Sequence, residues 1–173
     1  ILTRLVESGM SFDKAAKELC REYHVSPERA ELCKDTAMAA IKTKNELDGR
    51  DITLYVGIPF CPTRCAYCSF VSHSVEKSMK LIEPFLDALY SEIEASAELV
   101  KELGLRIKSV YMGGGTPTTL SAPQMEGLMT KLGREFDLSG VSEYTVEAGR
   151  PDTITEEKLR TIASGGATRI SIN

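Results

Sequence analysis

Apolar residues recur at helical spacing through the first 47 positions, and the pattern then alternates between strand-like and helix-like segments. Phe12, Ala15, Ala16, Leu19 and Tyr23 fall on one face of a helix that Ser11 can cap. Val25-Ser26-Pro27-Glu28 predicts a second start, with serine as N-cap, proline in the first turn and an acid near the positive end of the helix. Ala30, Cys33, Ala37 and Ile41 then define its apolar stripe, which makes Cys33 and the helical Cys20 structural thiols. Asp48-Gly49-Arg50-Asp51 is a polar break. Residues 1–50 read as a helical linker or the end of an N-terminal region.

Beyond the break the period changes. Ile52–Ile58 is a β-rich run. Ile82, Phe85, Leu86, Leu89, Ile93, Ala97 and Val100 form a helical stripe ending near Gly104, with Pro84 in the first turn, where a proline is tolerated. Leu105–Met112 predicts the next strand. Ser121-Ala-Pro-Gln124 is a capping box opening a helix with Met125, Leu128, Met129 and Leu132 inward. Val141–Val146 reads as a third strand. Thr155 caps a helix through Leu159 and Ile162 that ends at Gly165-Gly166, and Ala167–Ile172 is a fourth strand. Strands alternating with helices imply a parallel α/β fold, either a doubly wound sheet or part of a (β/α) barrel. The unusual residues follow three consecutive strands at their C-terminal ends, which favours the barrel or a partial barrel.

Composition narrows the function classes. A chain of 173 residues with 42% hydrophobic and 27% charged residues has the makings of an ordinary globular core. A net charge of -4 provides no broad basic surface for nucleic acid. No apolar stretch approaches a membrane span, and no signal peptide is recognisable. Three of the five cysteines crowd into one loop, unlike a spread disulfide framework, so a reducing cytoplasm is expected. The chain opens with Ile1 and stops at Asn173 inside a strand-like run, so it reads as a fragment of a longer protein.

The chemistry-bearing segment is Cys61-Pro-Thr-Arg-Cys65-Ala-Tyr-Cys68, directly after the first strand. Three thiolates on a four-iron cluster leave one iron open to a ligand, whereas electron-carrying clusters usually fill all four positions. The competing reading is a zinc knuckle with His73 as fourth ligand, although zinc cysteines usually come as C-x2-C pairs. Gly113-Gly-Gly-Thr-Pro117 allows the backbone to approach a polar ligand, and matches neither the dinucleotide fingerprint nor the P-loop. Glu147 ends the third strand. It can accept hydrogen bonds from hydroxyls or an ammonium group, or simply pair with Arg150 or Arg169. Alternation puts Thr145 and Glu147 on one face without saying which face is the mouth. Tyr67 lies between two of the cysteines and can pack on an adenine, and Tyr55 is either a core residue or a mouth residue.

The cysteine segment resembles the signature of the radical S-adenosylmethionine (SAM) enzymes. Leu54-Tyr-Val-Gly-Ile-Pro-Phe-Cys61, Gly113-Gly-Gly-Thr-Pro-Thr118 and Thr145-Val-Glu-Ala148 are similar to the oxygen-independent coproporphyrinogen III oxidase (dehydrogenase) family. Cys-Ser-Phe70 and Val-Glu-Ala-Gly-Arg-Pro-Asp152 look most like its HemZ branch. The resemblance covers about residues 52–173. It implies that residues 51–173 are the N-terminal part of a radical SAM barrel, about the first four β/α units, truncated and preceded by the helical segment.

It further implies a [4Fe–4S] cluster on Cys61, Cys65 and Cys68, with SAM on the open iron. By matched position, Tyr55 and Tyr67 would contact SAM, Gly114, Gly115 and Thr116 would hold its methionine end, and Glu147 would bind its ribose or amino group. The implied reaction is oxidative decarboxylation of coproporphyrinogen III to protoporphyrinogen IX through a 5′-deoxyadenosyl radical. The implied partners are a tetrapyrrole and an electron donor such as a flavodoxin or ferredoxin. Two departures stand out. Phe70 occupies the place of a fourth cysteine found in coproporphyrinogen oxidases, and relatives lacking that cysteine include haem chaperones that do no decarboxylation. The family's next motif, with a SAM-binding glutamine, would begin just past Asn173. Half a barrel with an open edge is expected not to fold stably or turn over alone; a cooperative melt of a purified monomer would contradict this.

Overall fold

The computed structural model describes residues 1–69, 73–74 and 78–172. Phe70, at the place of the absent fourth cysteine, and Asn173 lie outside the described residues. Two units emerge, Ile1–Gly49 and Arg50–Asn173.

The first unit contains α1 (Leu2–Glu7), α2 (Phe12–Tyr23) and α3 (Pro27–Glu46). Ser11 Oγ accepts from the Lys14 amide and Ser26 Oγ from the Arg29 amide, each at 3.4 Å, so both caps form. Leu2, Ala15, Ala16, Leu19, Ala30 and Ala37 are its buried apolar residues, with Cys20 packed against them. Cys33, expected on the buried stripe, is exposed, as is Tyr23. Ala30 and Ala37 set the centre of the buried face, and three residues' rotation from Ala30 carries Cys33 roughly 60° to one side. Small alanines let the helices approach closely and leave the flank of the stripe in solvent.

The second unit contains β1 (Asp51–Ile58), β2 (Phe60–Cys61), β3 (His73–Ser74), α4 (Ile82–Glu102), β4 (Arg106–Gly114), α5 (Ala122–Glu135), β5 (Glu143–Glu147), α6 (Glu156–Ser164) and β6 (Arg169–Ser171). Pro84 lies in the first turn of α4. Both halves of the α5 capping box form: the Gln124 amide donates to Ser121 Oγ at 3.3 Å, and the Ser121 amide donates to Gln124 Oε1 at 2.8 Å. Thr155 caps α6 by accepting from the Lys158 amide. The third strand begins at Glu143, two residues later than its apolar pattern suggests. The Val141 amide is turned back onto the Leu138 carbonyl, which removes it from the ladder.

The main sheet has the order β1-β4-β5-β6, all parallel. Each successive strand of this sheet is added on the same side, with no reversal. A doubly wound sheet reverses at its switch point, and a barrel does not. The fold is therefore a partial (β/α) barrel preceded by a helical segment. The small parallel pair β2-β3 was not legible in the pattern, because two-residue strands carry no periodicity.

Alternation sorts the faces. Val56, Ile58, Val110, Met112, Tyr144 and Val146 are buried together with Leu86, Ile93, Met125, Leu128, Met129, Leu132 and Ile162 from the helices. Tyr55, Tyr111 and Thr145 stand opposite one another on the intervening positions, and Gly57 and Gly113 follow on the same face. This second face holds the residues with chemistry. Among the described residues no helix is long and apolar enough to cross a membrane.

One core side chain is imperfectly matched. The Tyr144 hydroxyl is buried with no hydrogen-bond partner among the described residues. Burial pushes its phenol above the ordinary range. A lone buried hydroxyl costs about 1–3 kcal/mol, so Tyr144→Phe is expected to stabilise the protein by about 1 kcal/mol in urea unfolding at neutral pH. Because the folded value is raised, this phenol makes stability independent of pH below its ordinary value and lowers it as pH rises from there towards the raised one. The substitution should accordingly flatten the alkaline limb of the stability curve.

Candidate metal and cofactor site

The site is assembled where three strands end. The cysteine loop leaves β1 through β2, the glycine turn leaves β4, and residues 147–153 leave β5. These three segments enclose a cavity of about 340 Å³, within the range of small-ligand sites. The nine residues that the resemblance implies for cluster and SAM all line it: Tyr55, Cys61, Cys65, Tyr67, Cys68, Gly114, Gly115, Thr116 and Glu147.

Cys61 is held against the glycine turn. The Gly115 amide donates to the Ile58 carbonyl at 2.7 Å. A Cβ on Gly115 would stand 2.7 Å from the Phe60 oxygen and 3.0 Å from Cys61 Sγ, so only hydrogen fits there. Gly114 has φ +108, a conformation L side chains rarely adopt, and a Cβ there would press on the Ile58 backbone. Thr116 is buried and its hydroxyl donates to Cys61 Sγ at 3.5 Å. The Thr119 hydroxyl donates to the Phe60 carbonyl at 3.2 Å, pinning the same junction.

Cys65 and Cys68 share a turn in which the Cys68 amide donates to the Cys65 carbonyl at 3.1 Å. Tyr67, between them, is 88% exposed. Its phenol is raised by a hydrogen bond to Cys65 and by the neighbouring thiols. Arg150 reaches the loop from β5: Nη1 donates to the Thr63 carbonyl at 3.3 Å and lies 3.8 Å from Cys65 Sγ, and Nη2 donates to Thr63 Oγ1 at 3.0 Å.

The opposite wall is aromatic and acidic. Tyr55 is 57% exposed and stacks on Tyr111, with ring centroids 6.0 Å apart. It is thus a mouth residue, not a core one. The Tyr111 hydroxyl donates to Glu147 Oε1 at 2.6 Å, and this bond raises the phenol, keeping it a neutral donor at physiological pH. Glu147 engages neither Arg150 nor Arg169 as an ion pair among the described residues. Arg150 pairs with Asp152 at 2.8 Å and Arg169 lies 3.8 Å from Glu143. Below the cavity, Lys158 Nζ donates to the Thr118 and Thr153 carbonyls at 2.7 and 3.0 Å, and partial burial lowers its ammonium. This ties the glycine turn to the 150s loop.

His73, the fourth ligand of the zinc reading, is on β3 and does not line the cavity. Among the described residues no three His, Cys, Asp or Glu groups converge to hold a single metal ion. A zinc site draws its ligands round one point, whereas a polynuclear cluster offers each thiolate its own iron. Three thiols facing one cavity, with hydroxyl and guanidinium donors beside two of them, suit the latter donor set. The sequence did not point to Tyr111, and it offered Arg150 as an ion-pair partner of Glu147 and as part of the segment after the third strand, without a contact to the cysteine loop. The signal for Tyr111 was its place two residues before Gly113, on the face that carries Glu147.

Comparison with known proteins agrees with this geometry. The model of the Radical SAM superfamily matches residues 55–173. The oxygen-independent coproporphyrinogen-III oxidase-like protein HemZ of Bacillus subtilis is 38% identical over all of this chain and 35% of its own length. The heme chaperone HemW of Lactococcus lactis is 36% identical over 68% of this chain and 29% of its own. In structure, the coproporphyrinogen III oxidase HemN of Escherichia coli, described as a radical SAM enzyme, superposes with a TM-score of 0.60. It is 31% identical, over 71% of this chain and 27% of that one. The chain spans about a third of the length of the curated relatives it matches. With the family's parallel arc and its three-cysteine loop in place, the chain belongs to the radical SAM superfamily, whose cofactors are a [4Fe–4S] cluster and SAM.

Proposed function

We propose that the protein carrying this chain performs radical SAM chemistry on a tetrapyrrole, in its specific form the oxygen-independent decarboxylation of coproporphyrinogen III to protoporphyrinogen IX. The single observation behind the tetrapyrrole is the HemZ likeness, which runs through the whole chain, including the helices before residue 55. In this reading residues 51–173 supply the N-terminal part of the barrel core and residues 1–50 a helical lead into it.

Cys61, Cys65 and Cys68 hold the cluster in this reading. When bound, the cluster and SAM together supply one-electron cleavage of SAM and a carbon radical able to abstract hydrogen. The protein's own share is placement. The bare backbone of Gly114 and Gly115 with Thr116 makes room for the methionine end of SAM. Glu147, one oxygen occupied by Tyr111, presents the other to the ribose or amino group. Tyr55 and Tyr67 offer exposed rings to the nucleoside. An external one-electron donor such as a flavodoxin or ferredoxin would supply the electron for SAM cleavage. Each propionate would give up one hydrogen atom to the radical, and its carboxylate would leave as CO2 as the remaining electron passes to an external one-electron acceptor.

A second reading is a haem chaperone that keeps the cluster and SAM sites. Phe70 at the place of the fourth cysteine and the likeness to HemW favour it. The discriminating experiment reconstitutes the protein carrying this chain anaerobically with iron and sulfide. Dithionite, SAM and coproporphyrinogen III are added, and 5′-deoxyadenosine and protoporphyrinogen are quantified together. Both are expected to form in the unaltered protein and to fall to background in Cys65→Ala. SAM cleavage with the porphyrinogen untouched would sink the decarboxylase reading and direct the next measurement to haem binding.

The glycine turn provides an independent test. Gly115→Ala must push the Cys61 junction aside, so iron retention is expected to fall about 10- to 100-fold, the usual cost of disturbing the groups around metal ligands. Iron and sulfide analysis after gel filtration reads this directly, and wild-type retention would contradict the packing argument.

A further inference from the structure

One guanidinium grips the cysteine loop from the far side of the cavity. Arg150 Nε and Nη2 donate to the two carboxylate oxygens of Asp152 at 3.1 and 2.8 Å. The same group meets the Thr63 carbonyl, Thr63 Oγ1 and Cys65 Sγ. Asp152 thus occupies one edge of the planar fork and aims the other edge into the loop, a geometry an ammonium cannot reproduce. The backbone behind it is also held: the Thr153 amide and hydroxyl donate to the Arg150 carbonyl at 3.0 and 2.8 Å, and Thr153 Oγ1 shares a 2.7 Å bond with Thr118 Oγ1. The Arg150 side chain is 23% exposed and Asp152 52%. So open an ion pair adds little stability; its consequence is direction.

We propose that Arg150 is a positioning residue for the iron–sulfur cluster. It clamps the loop at Thr63 and sets a positive charge and an N–H donor against the Cys65 sulfur, favouring the reduced form of the cluster. The inference rests on the reading that Cys61, Cys65 and Cys68 ligate that cluster. Reduction adds one electron, taken from an external reductant, and so adds negative charge that spreads onto the ligand sulfurs. Hydrogen bonds to those sulfurs set the potential of such clusters. A cation whose aim is fixed by its own carboxylate partner therefore raises the potential.

The test is EPR-monitored potentiometry with dithionite on the anaerobically reconstituted protein carrying this chain. Arg150→Gln is expected to lower the reduced-to-oxidised ratio at fixed potential by about three- to tenfold, tenfold being about 59 mV for one electron. Arg150→Lys keeps the charge without the fork and should show a smaller fall. It also supplies the measurement if the glutamine variant does not fold. Potentials of both variants equal to that of the unaltered protein would overturn the role of Arg150 while leaving the cluster reading intact. An unaltered protein that takes up no cluster would instead remove the reading on which the inference rests.

Discussion

The site depends on how closely the backbone after β4 approaches the end of β1. Parallel pairing brings Gly57 and Ile58 opposite Gly113 and Gly114, and the Gly115 amide then closes onto the Ile58 carbonyl. That junction leaves no space for a side chain at residue 115. It also determines where β2 begins, and therefore where Cys61 points. A strand pair with ordinary side chains at its ends would splay there, and the cysteine loop would have no fixed origin. The glycines thus convert regular sheet pairing into a rigid base for an irregular loop.

The rest of the arrangement follows from the two-residue repeat of a strand. One face of the sheet is covered by three helices, and its aliphatic residues are withdrawn from water together. The other face is left with tyrosines, Thr53, Ser109, Thr145, glycines and Glu147. Tyr111 links those properties. Its ring stacks on Tyr55, its hydroxyl fixes one oxygen of Glu147, and its edge overhangs Gly113 at a distance where a Cβ would stand 2.7 Å away. The carboxylate is therefore oriented by an uncharged donor, and among the described residues it forms no ion pair.

The relatives that align with this chain differ in what they are named for. An oxidase-like protein and a haem chaperone align over the same kind of segment. One fold can carry such different functions, since function belongs to sites grafted on it. The HemZ likeness extends across the helical unit, which the superfamily model does not include.

Much of this was legible in one dimension. Ser121 and Gln124, Ser26 and Pro27, and Thr155 mark helix starts by chemistry that acts within four residues, so the sequence alone suffices to place them. The spacing of Cys61, Cys65 and Cys68 is equally local. Strand order was not local: only the pairing of β1 with β4, β4 with β5 and β5 with β6 separates a barrel from a doubly wound sheet. The same holds for faces. Whether Tyr55 belonged to the core or the mouth, and whether Glu147 met an arginine or a phenol, depended on register between strands tens of residues apart. Cys33 went the other way, because its exposure depends on which neighbouring helices the Ala30–Ala37 face meets. Local hydrogen bonding and periodicity are written in the sequence; the partners of each face exist only once the chain has closed on itself.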